Sequence, residues 1–256
     1  MDLKTFKAYM SAYDNALNVM FRTALNKFPF IATLRNGLKV QVRSKRHAYF
    51  FTTLRDLDVI YLDDRFIQFR YMDKVLKFYF DINDFVALGE IFRDGIYNVN
   101  VKGRTVVDVG AGIGDSPIYF ALKGAKKVYA FDVTFDVNTP YLEKNIREND
   151  LKDVIEPIRC ECGLSNNLDV ITLKYNIPYE SVLKVDCEGC EYGFFSTAPS
   201  RSIGRYQTII IEYHNGVQDL ADLLRASGFN VTVKGNKKIG LIYARRLTDS
   251  GVKNEL

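Results

Sequence analysis

Long apolar runs are missing from this 256-residue chain. No segment approaches the roughly 18 apolar residues that a membrane-crossing helix requires, so no membrane partner is expected. The opening Met1-Asp2-Leu3-Lys4-Thr5 has no apolar h-region, which argues against a secretory signal peptide. Four cysteines at this length do not make a disulfide scaffold. Together these absences predict a soluble, cytoplasmic protein. Histidine is scarcer still: there are two, His47 and His214, so any histidine base must be one of them. No internal repeat or low-complexity tract interrupts the chain.

What is present is a hydrophobic share of 47%, enough for a large core and one small added domain. The net charge of +4 is unevenly spread. Residues 1–56 carry ten Lys and Arg against Asp2, Asp14 and Asp56, a net of +7, which leaves −3 for the remainder. An acidic partner would therefore meet the N-terminal part.

The most informative stretch is Thr105-Val106-Val107-Asp108-Val109-Gly110-Ala111-Gly112-Ile113-Gly114-Asp115. Its apolar run reads as a buried parallel strand. Three alternating glycines follow, then Ser116-Pro117 as N-cap and first helical residue, with Gly124 as the stop. Such a strand, turn and helix N-terminus bring backbone N–H groups close to a ligand. About 20 residues on, the strand Lys127–Phe131 ends in Asp132, where a carboxylate can accept hydrogen bonds from both hydroxyls of a ribose. The dinucleotide fingerprint has two residues between its second and third glycines. This chain has one, with acidic Asp108 ahead of the run, as in S-adenosylmethionine (AdoMet) methyltransferases; NAD is the alternative.

Residues 2–27 read as one helix ended by Pro29, with apolar positions such as Phe6, Tyr9, Met10, Tyr13 and Leu17 at helical spacing. Strand-like runs at 37–42, 59–62, 66–71 and 75–80 suggest an antiparallel β cap. A short helix over 84–92 follows. From Thr105 strands alternate with helices: strands at 105–109, 127–132, 154–159, 181–186 and 207–212, helices at 116–123, 138–149, 189–196 and 217–227. Two final strands, 229–234 and 239–245, form a hairpin through Gly235-Asn236-Lys237-Lys238, and 164–176 adds a small turn or strand pair. The expected fold is α/β: a Rossmann-like sheet of parallel strands with a C-terminal antiparallel hairpin. Residues 1–90 form an N-terminal helix and β-rich cap, residues 91–256 the ligand-binding domain.

Residues 90–215 resemble the FkbM-type AdoMet-dependent methyltransferases. The resemblance rests on Val107–Asp115, on Val128-Tyr129-Ala130-Phe131-Asp132, on Leu183-Lys184-Val185-Asp186-Cys187-Glu188-Gly189-Cys190-Glu191, and on Ile211-Glu212-Tyr213-His214. The Lys-x-Asp-x-Glu-Gly-x-Glu element is its most specific part. Asp132 stands where the family usually has Glu, and Cys187 and Cys190 replace small apolar residues. The resemblance implies O-methyl transfer to a hydroxyl of a saccharide or small metabolite. An RNA methyltransferase docking through the basic N-terminal region and a non-catalytic AdoMet-fold interaction module are the alternatives.

Open α/β sheets bind ligands at the carboxyl ends of their strands. The expected cofactor residues are therefore Asp108, Gly110, Ala111, Gly112, Gly114, Asp115 and Asp132, with Glu161 or Cys162 bordering the adenine. Asp186, Glu188, Glu212 and His214 fall at neighbouring strand ends and are the catalytic candidates. His214 can serve as a base oriented by a carboxylate, or the hard oxygens with one imidazole can hold Mg²⁺ or Mn²⁺. Glu191 is expected only to favour a helix N-terminus. Cys160, Cys162, Cys187 and Cys190 raise the question of zinc. With strand order 3-2-1-4-5 the third and fourth strands are about 14 Å apart, against Zn–S bonds of about 2.3 Å, so buried thiols are expected. Asn176-Ile177-Pro178-Tyr179 resembles an amino-methylating loop but precedes the fourth strand, and reads as a turn. Arg43–Phe51 mixes basic and aromatic residues, in a nucleic-acid contact or a solvated turn leading into a strand.

Overall fold

In a computed structural model the described residues are 2–80, 84–133 and 141–246. They form two compact units: Met1–Asn98 with Glu143–Asp150, and Val99–Leu142 with Leu151–Leu256. Among the described residues no helix is long and apolar enough to cross a membrane.

In the first unit, α1 (Leu3–Ala12) is capped by Asp2, whose carboxylate accepts from Thr5 N, and α2 spans Ala16–Ala24. The single helix expected over 2–27 is thus broken. Tyr13 is extended and bridges to Leu34, and the side chain of Asn15 accepts from Thr33 N. Asp and Asn favour such local bonds over a helix interior. The strand they meet, β1 (Phe30–Thr33), was not foreseen; it pairs antiparallel with β2 (Lys39–Val42). A turn into a strand was one expectation for 43–51. Instead Ser44 caps α3 (Lys45–Phe50), and a 3₁₀ turn over Phe51–Leu54 follows. Strands β3 (Asp58–Leu62), β4 (Phe66–Tyr71) and β5 (Lys74–Tyr79) make an antiparallel sheet. Its buried face carries Ile67, Phe69, Leu76 and Phe78, with Phe92 against it. The free edge of β5 is satisfied by side chains: Asn145 bonds both backbone groups of Tyr79, and Asn149 both of Lys77. Helix α4 (Phe85–Leu88) runs into a π turn over Gly89–Arg93.

From Thr105 the chain alternates β6 (Thr105–Val109), α5 (Asp115–Leu122), β7 (Lys127–Asp132), α6 (Tyr141–Glu148), β8 (Ile155–Arg159), α7 (Leu168–Lys174), β9 (Ser181–Val185), α8 (Glu191–Phe195), α9 (Ser200–Ile203), β10 (Tyr206–Tyr213), α10 (Gln218–Ala226), β11 (Phe229–Gly235) and β12 (Gly240–Arg246), all in the second unit except most of α6, which belongs to the first. The second unit's seven strands lie in the order β11-β12-β10-β9-β6-β7-β8. The five from β8 to β10 are parallel, and β12 is antiparallel to both its neighbours. This is the expected Rossmann-like α/β sheet with a C-terminal hairpin. Val107, Val109, Leu183, Val185, Ile209 and Ile211 are buried in its core.

Three local expectations are corrected. Helix α5 starts at Asp115 after Gly114, which is left-handed at φ 94°; Ser116 is inside it and its hydroxyl donates to Asp108 instead of capping. The segment 164–176 holds α7, capped by Asn167 accepting from Val170 N, not a turn or strand pair. Cys187 and Cys190 form a disulfide, while Cys160 and Cys162 are free thiols. Of the helix expected over 138–149, residues 138–140 lie outside the described residues.

Candidate active site

The glycine turn is built by close backbone contact. At Gly110 (φ 79°) an added Cβ would stand 1.7 Å from the Asp186 carbonyl oxygen, so no side chain fits. The N–H groups of Gly110 and Ala111 both donate to Phe131 O, and Gly112 N donates to Asp132 Oδ2 at 2.8 Å. Asp132, at the end of β7, therefore already meets the glycine turn. Asp115 opens α5 with its Oδ1 accepting from Ser116 N. Glu161 is exposed past β8. Cys162 beside it is partly buried, and burial pushes its thiol well above the ordinary range.

Beneath the turn, Asp108 and Lys184 face each other in register on β6 and β9. Both are buried and form an ion pair at 3.0 Å. Lys184 Nζ also donates to Gly110 O, and Ser116 Oγ donates to the second Asp108 oxygen at 2.7 Å. Burial works against the lysine charge, but the carboxylates of Asp108, Asp186 and Asp115 together hold Lys184 above its usual pKa. The pair joins two strands to the glycine turn.

The other residues gather at the carboxyl ends of β9 and β10. Ile211 is in register with Val185, so Asp186 and Glu212 are the next residues on neighbouring strands. Glu188 (φ 56°) and Gly189 (φ 112°) turn the chain sharply, inside the Cys187–Cys190 disulfide, before α8. Asp186, Glu212 and His214 each offer a ligand atom, and these atoms lie within 4.8 Å of one another. Glu188 Oε2 is 3.4 Å from His214 Nε2, on a side chain 88% exposed. His47 lies in the first unit, on α3.

Glu191 has a larger role than the sequence suggested. It is fully buried. It accepts from the backbone N–H groups of Gly189 at 2.9 Å and His214 at 3.0 Å, and its Oε1 lies 3.2 Å from His214 Nδ1. A proton on Nδ1 directed at this carboxylate leaves Nε2 as the outward lone pair. Burial lowers the pKa of His214, but its hydrogen bond to Glu191 and the charges of Glu188, Glu191 and Asp186 raise it above the ordinary value overall. No signal in the sequence marks this role, because acidic residues are common in the first turn of a helix.

In the first unit a groove of about 1010 Å³ is lined by Lys4, Lys7, Tyr49, Arg55 and Arg93, together with Asp2, Glu90 and Asp94.

Comparison with known proteins adds the following. The sequence model of the TRM5/TYW2 methyltransferase domain matches residues 74–176, a span that holds the glycine turn, Asp132, Glu161 and Cys162 and stops short of Asp186. The chain is 30% identical over 135 residues to Uncharacterized protein 158B of Sulfolobus islandicus rod-shaped virus 1, covering 52% of this chain and 75% of that one, and belongs to the same family. It is 32% identical over 100 residues to protein arginine N-methyltransferase 6 of Danio rerio, covering 36% of this chain and 28% of that enzyme. Similar solved structures include M. capricolum TrmK with S-adenosyl-homocysteine, at TM-score 0.46 and 16% identity over 62% of this chain and 67% of that one. Another is an O-methyltransferase family protein of Burkholderia thailandensis, at TM-score 0.46 and 14% identity over 66% and 60%.

Proposed function

We propose that the chain is an AdoMet-dependent methyltransferase that methylates a hydroxyl of a saccharide or small metabolite. The observation that carries this reading is the His214 imidazole, anchored at Nδ1 by buried Glu191 and flanked by Asp186 and Glu212 at the sheet's carboxyl edge. The Lys-x-Asp-x-Glu-Gly-x-Glu element that resembles the FkbM type contributes Lys184, Asp186, Glu188 and Glu191 to this edge and its support.

The cofactor's fit rests on the glycine turn. Left-handed Gly110, Gly112 and Gly114 expose backbone to an amino-acid moiety, and Asp132 takes the ribose hydroxyls. An added Cβ at Gly112 would meet nothing nearer than 4.0 Å, so the space beside it is open. Asp108 keeps Lys184 on the carbonyl side of the turn, and Asp115 favours the start of α5. Glu161 and Cys162 border the adenine. When bound, AdoMet supplies a sulfonium methyl that passes to an acceptor oxygen by in-line displacement.

The chain's own residues then have two tasks. They hold the acceptor oxygen near-attack, at about 3–3.5 Å, and they draw off its proton, because a protonated sugar hydroxyl is a poor nucleophile. Asp186, Glu188, Glu212 and His214 make up the group that does the second. Replacing His214 by Ala should cut turnover by about 10²–10⁴ with AdoMet affinity intact. A His214→Ala enzyme of full activity would overturn the reading.

A second reading, RNA methylation, is favoured by one specific observation. The net +7 of residues 1–56 includes Lys4, Lys7 and Arg55, which line the groove in the first unit beside exposed Tyr49. Phosphate docking there predicts RNA affinity that falls steeply between low and physiological salt. No detectable binding at low salt would remove this reading.

A further inference from the structure

We propose that the Cys187–Cys190 bridge is a thiol–disulfide exchange site, opened by a dithiol donor, and that opening it loosens Glu191 behind His214. The exchange itself stands on the turn alone; its effect on turnover rests on the hydroxyl-methylation reading above.

Three observations carry it. The first is where the bridge sits. It joins residues three apart in sequence, between the end of β9 and the start of α8. Both cysteines are half-buried, and the Glu188 side chain between them is 88% exposed. A bridge within reach of solvent exchanges more readily than a sealed one. A loop this short also gains little from closure, because the stabilisation grows with the length enclosed. The fold therefore outlasts the bridge, and the bridge acts locally.

The second observation is what the bridge holds. Glu188 at φ 56° and Gly189 at φ 112° are successive left-handed residues, and the first of them carries a side chain. A non-glycine residue keeps that conformation only where its surroundings impose it. The turn's own backbone bond, from Cys190 N to Cys187 O, is long at 3.4 Å and correspondingly weak. The covalent link makes up for it.

The third is what depends on the turn. Gly189 N–H donates to Glu191 Oε2 at 2.9 Å, and Glu191 Oε1 lies 3.2 Å from His214 Nδ1. The Cys187 sulfur is 3.7 Å from that same Oε2. As half of a disulfide it has no proton to give. As a thiol it becomes a donor to a carboxylate that is fully buried. Reduction thus loosens one partner of Glu191 and supplies another, and the carboxylate that orients the imidazole shifts with them.

The exchange balances. A donor thiolate attacks one sulfur of the bridge, the S–S bond breaks, and the other sulfur leaves as a thiolate that takes up a proton. The donor's second thiol then resolves the mixed disulfide. Two electrons and two protons have passed to Cys187 and Cys190, and the donor holds a new disulfide.

The test uses the full chain, with dithiothreitol as the dithiol. Native protein is treated, quenched with iodoacetamide and read by peptide mass spectrometry. The ring-proton NMR signals of His214 are followed in parallel, with His47, the other histidine, as the reference. Cys187 and Cys190 should take label only after dithiothreitol, with circular dichroism unchanged, and the His214 signals should move. Turnover should fall about tenfold or more, since a misplacement of about 1 Å can cost about a hundredfold, and oxidised dithiothreitol should restore it. The Cys187→Ser, Cys190→Ser double variant should show the moved signals from the start and ignore dithiothreitol. A bridge that resists dithiothreitol until the protein unfolds overturns the exchange site. Reduced protein with His214 signals unmoved, or a double variant that still responds, overturns the link to Glu191. If the signals move but turnover holds and His214→Ala is fully active, the exchange site stands and the hydroxyl-methylation reading falls.

Discussion

Lys184 and Asp108 bury opposite charges directly beneath the glycine turn, so removing the lysine leaves the buried carboxylate without its ion pair. Lys184→Met removes the cation and abandons a carboxylate that is 0% exposed. Breaking a buried pair in this way costs about 3–5 kcal/mol. The midpoint of denaturant unfolding should fall accordingly, and an unchanged midpoint would show that the pair does not hold the turn. Asp132 poses the opposite case. It lies at the end of β7 and accepts from Gly112 N, in a turn already held by the backbone bonds to Phe131 O, so its removal should leave the fold standing. Losing a charged acceptor costs on the order of 1.5–3 kcal/mol, so Asp132→Ala should weaken AdoMet about tenfold to hundredfold; undiminished affinity in calorimetry would refute the ribose assignment. Asp108 and Asp132 stand out in the sequence as carboxylates at the ends of apolar runs, which is where the strands place them. Glu191 does not. Acidic residues are common in first helical turns, and only the approach of β10 reveals that this one is buried against His214.

At the scale of elements, legibility followed the strength of the periodic signal. The parallel strands β6, β7, β9 and β10 are apolar runs bounded by turn residues, and each was located to within about two residues, the usual uncertainty of an element end. The break at Tyr13 was hidden because Tyr9, Tyr13 and Leu17 keep helical spacing through it. What interrupts the helix is a tertiary contact, the pairing of Tyr13 with Leu34 and the Asn15 bond to Thr33. Helix α7 escaped notice for a different reason: it has only seven residues, too few for a periodicity to stand out. The disulfide was missed because the cysteines were weighed across strands. Cys187 and Cys190 meet instead across one sharp turn, with Cα atoms 5.4 Å apart, the normal range for a bridge. The turn that carries Glu188 is thereby closed by a covalent link as well as by Glu191.

At the scale of the whole molecule, the two units are not two consecutive lengths of chain. Residues 143–150 come from between β7 and β8, yet they pack with the first unit. The reason is in their side chains. Asn145 and Asn149, one helical turn apart, present amides that replace a missing strand along the edge of β5, and Lys77 adds an ion pair to Glu148 at 2.9 Å. An unpaired strand edge is a liability that proteins normally cover, and here the cover comes from the sheet-forming half of the sequence. A sequence boundary near residue 90 cannot express this, because it assigns each residue to the nearer stretch of chain. The consequence is testable. A fragment of residues 99–256 keeps all seven strands of the large sheet but loses β5, and with it four amide hydrogen bonds worth about 1 kcal/mol each. Asn145, buried in the full chain, would then lose both of its partners on Tyr79. The fragment should melt several degrees below the full chain, by about 2–4 °C per kcal/mol lost, and should bind a hydrophobic dye that the full chain excludes. A fragment that melts with the full chain and excludes the dye would mean that residues 143–150 need no partner and that the second unit folds alone.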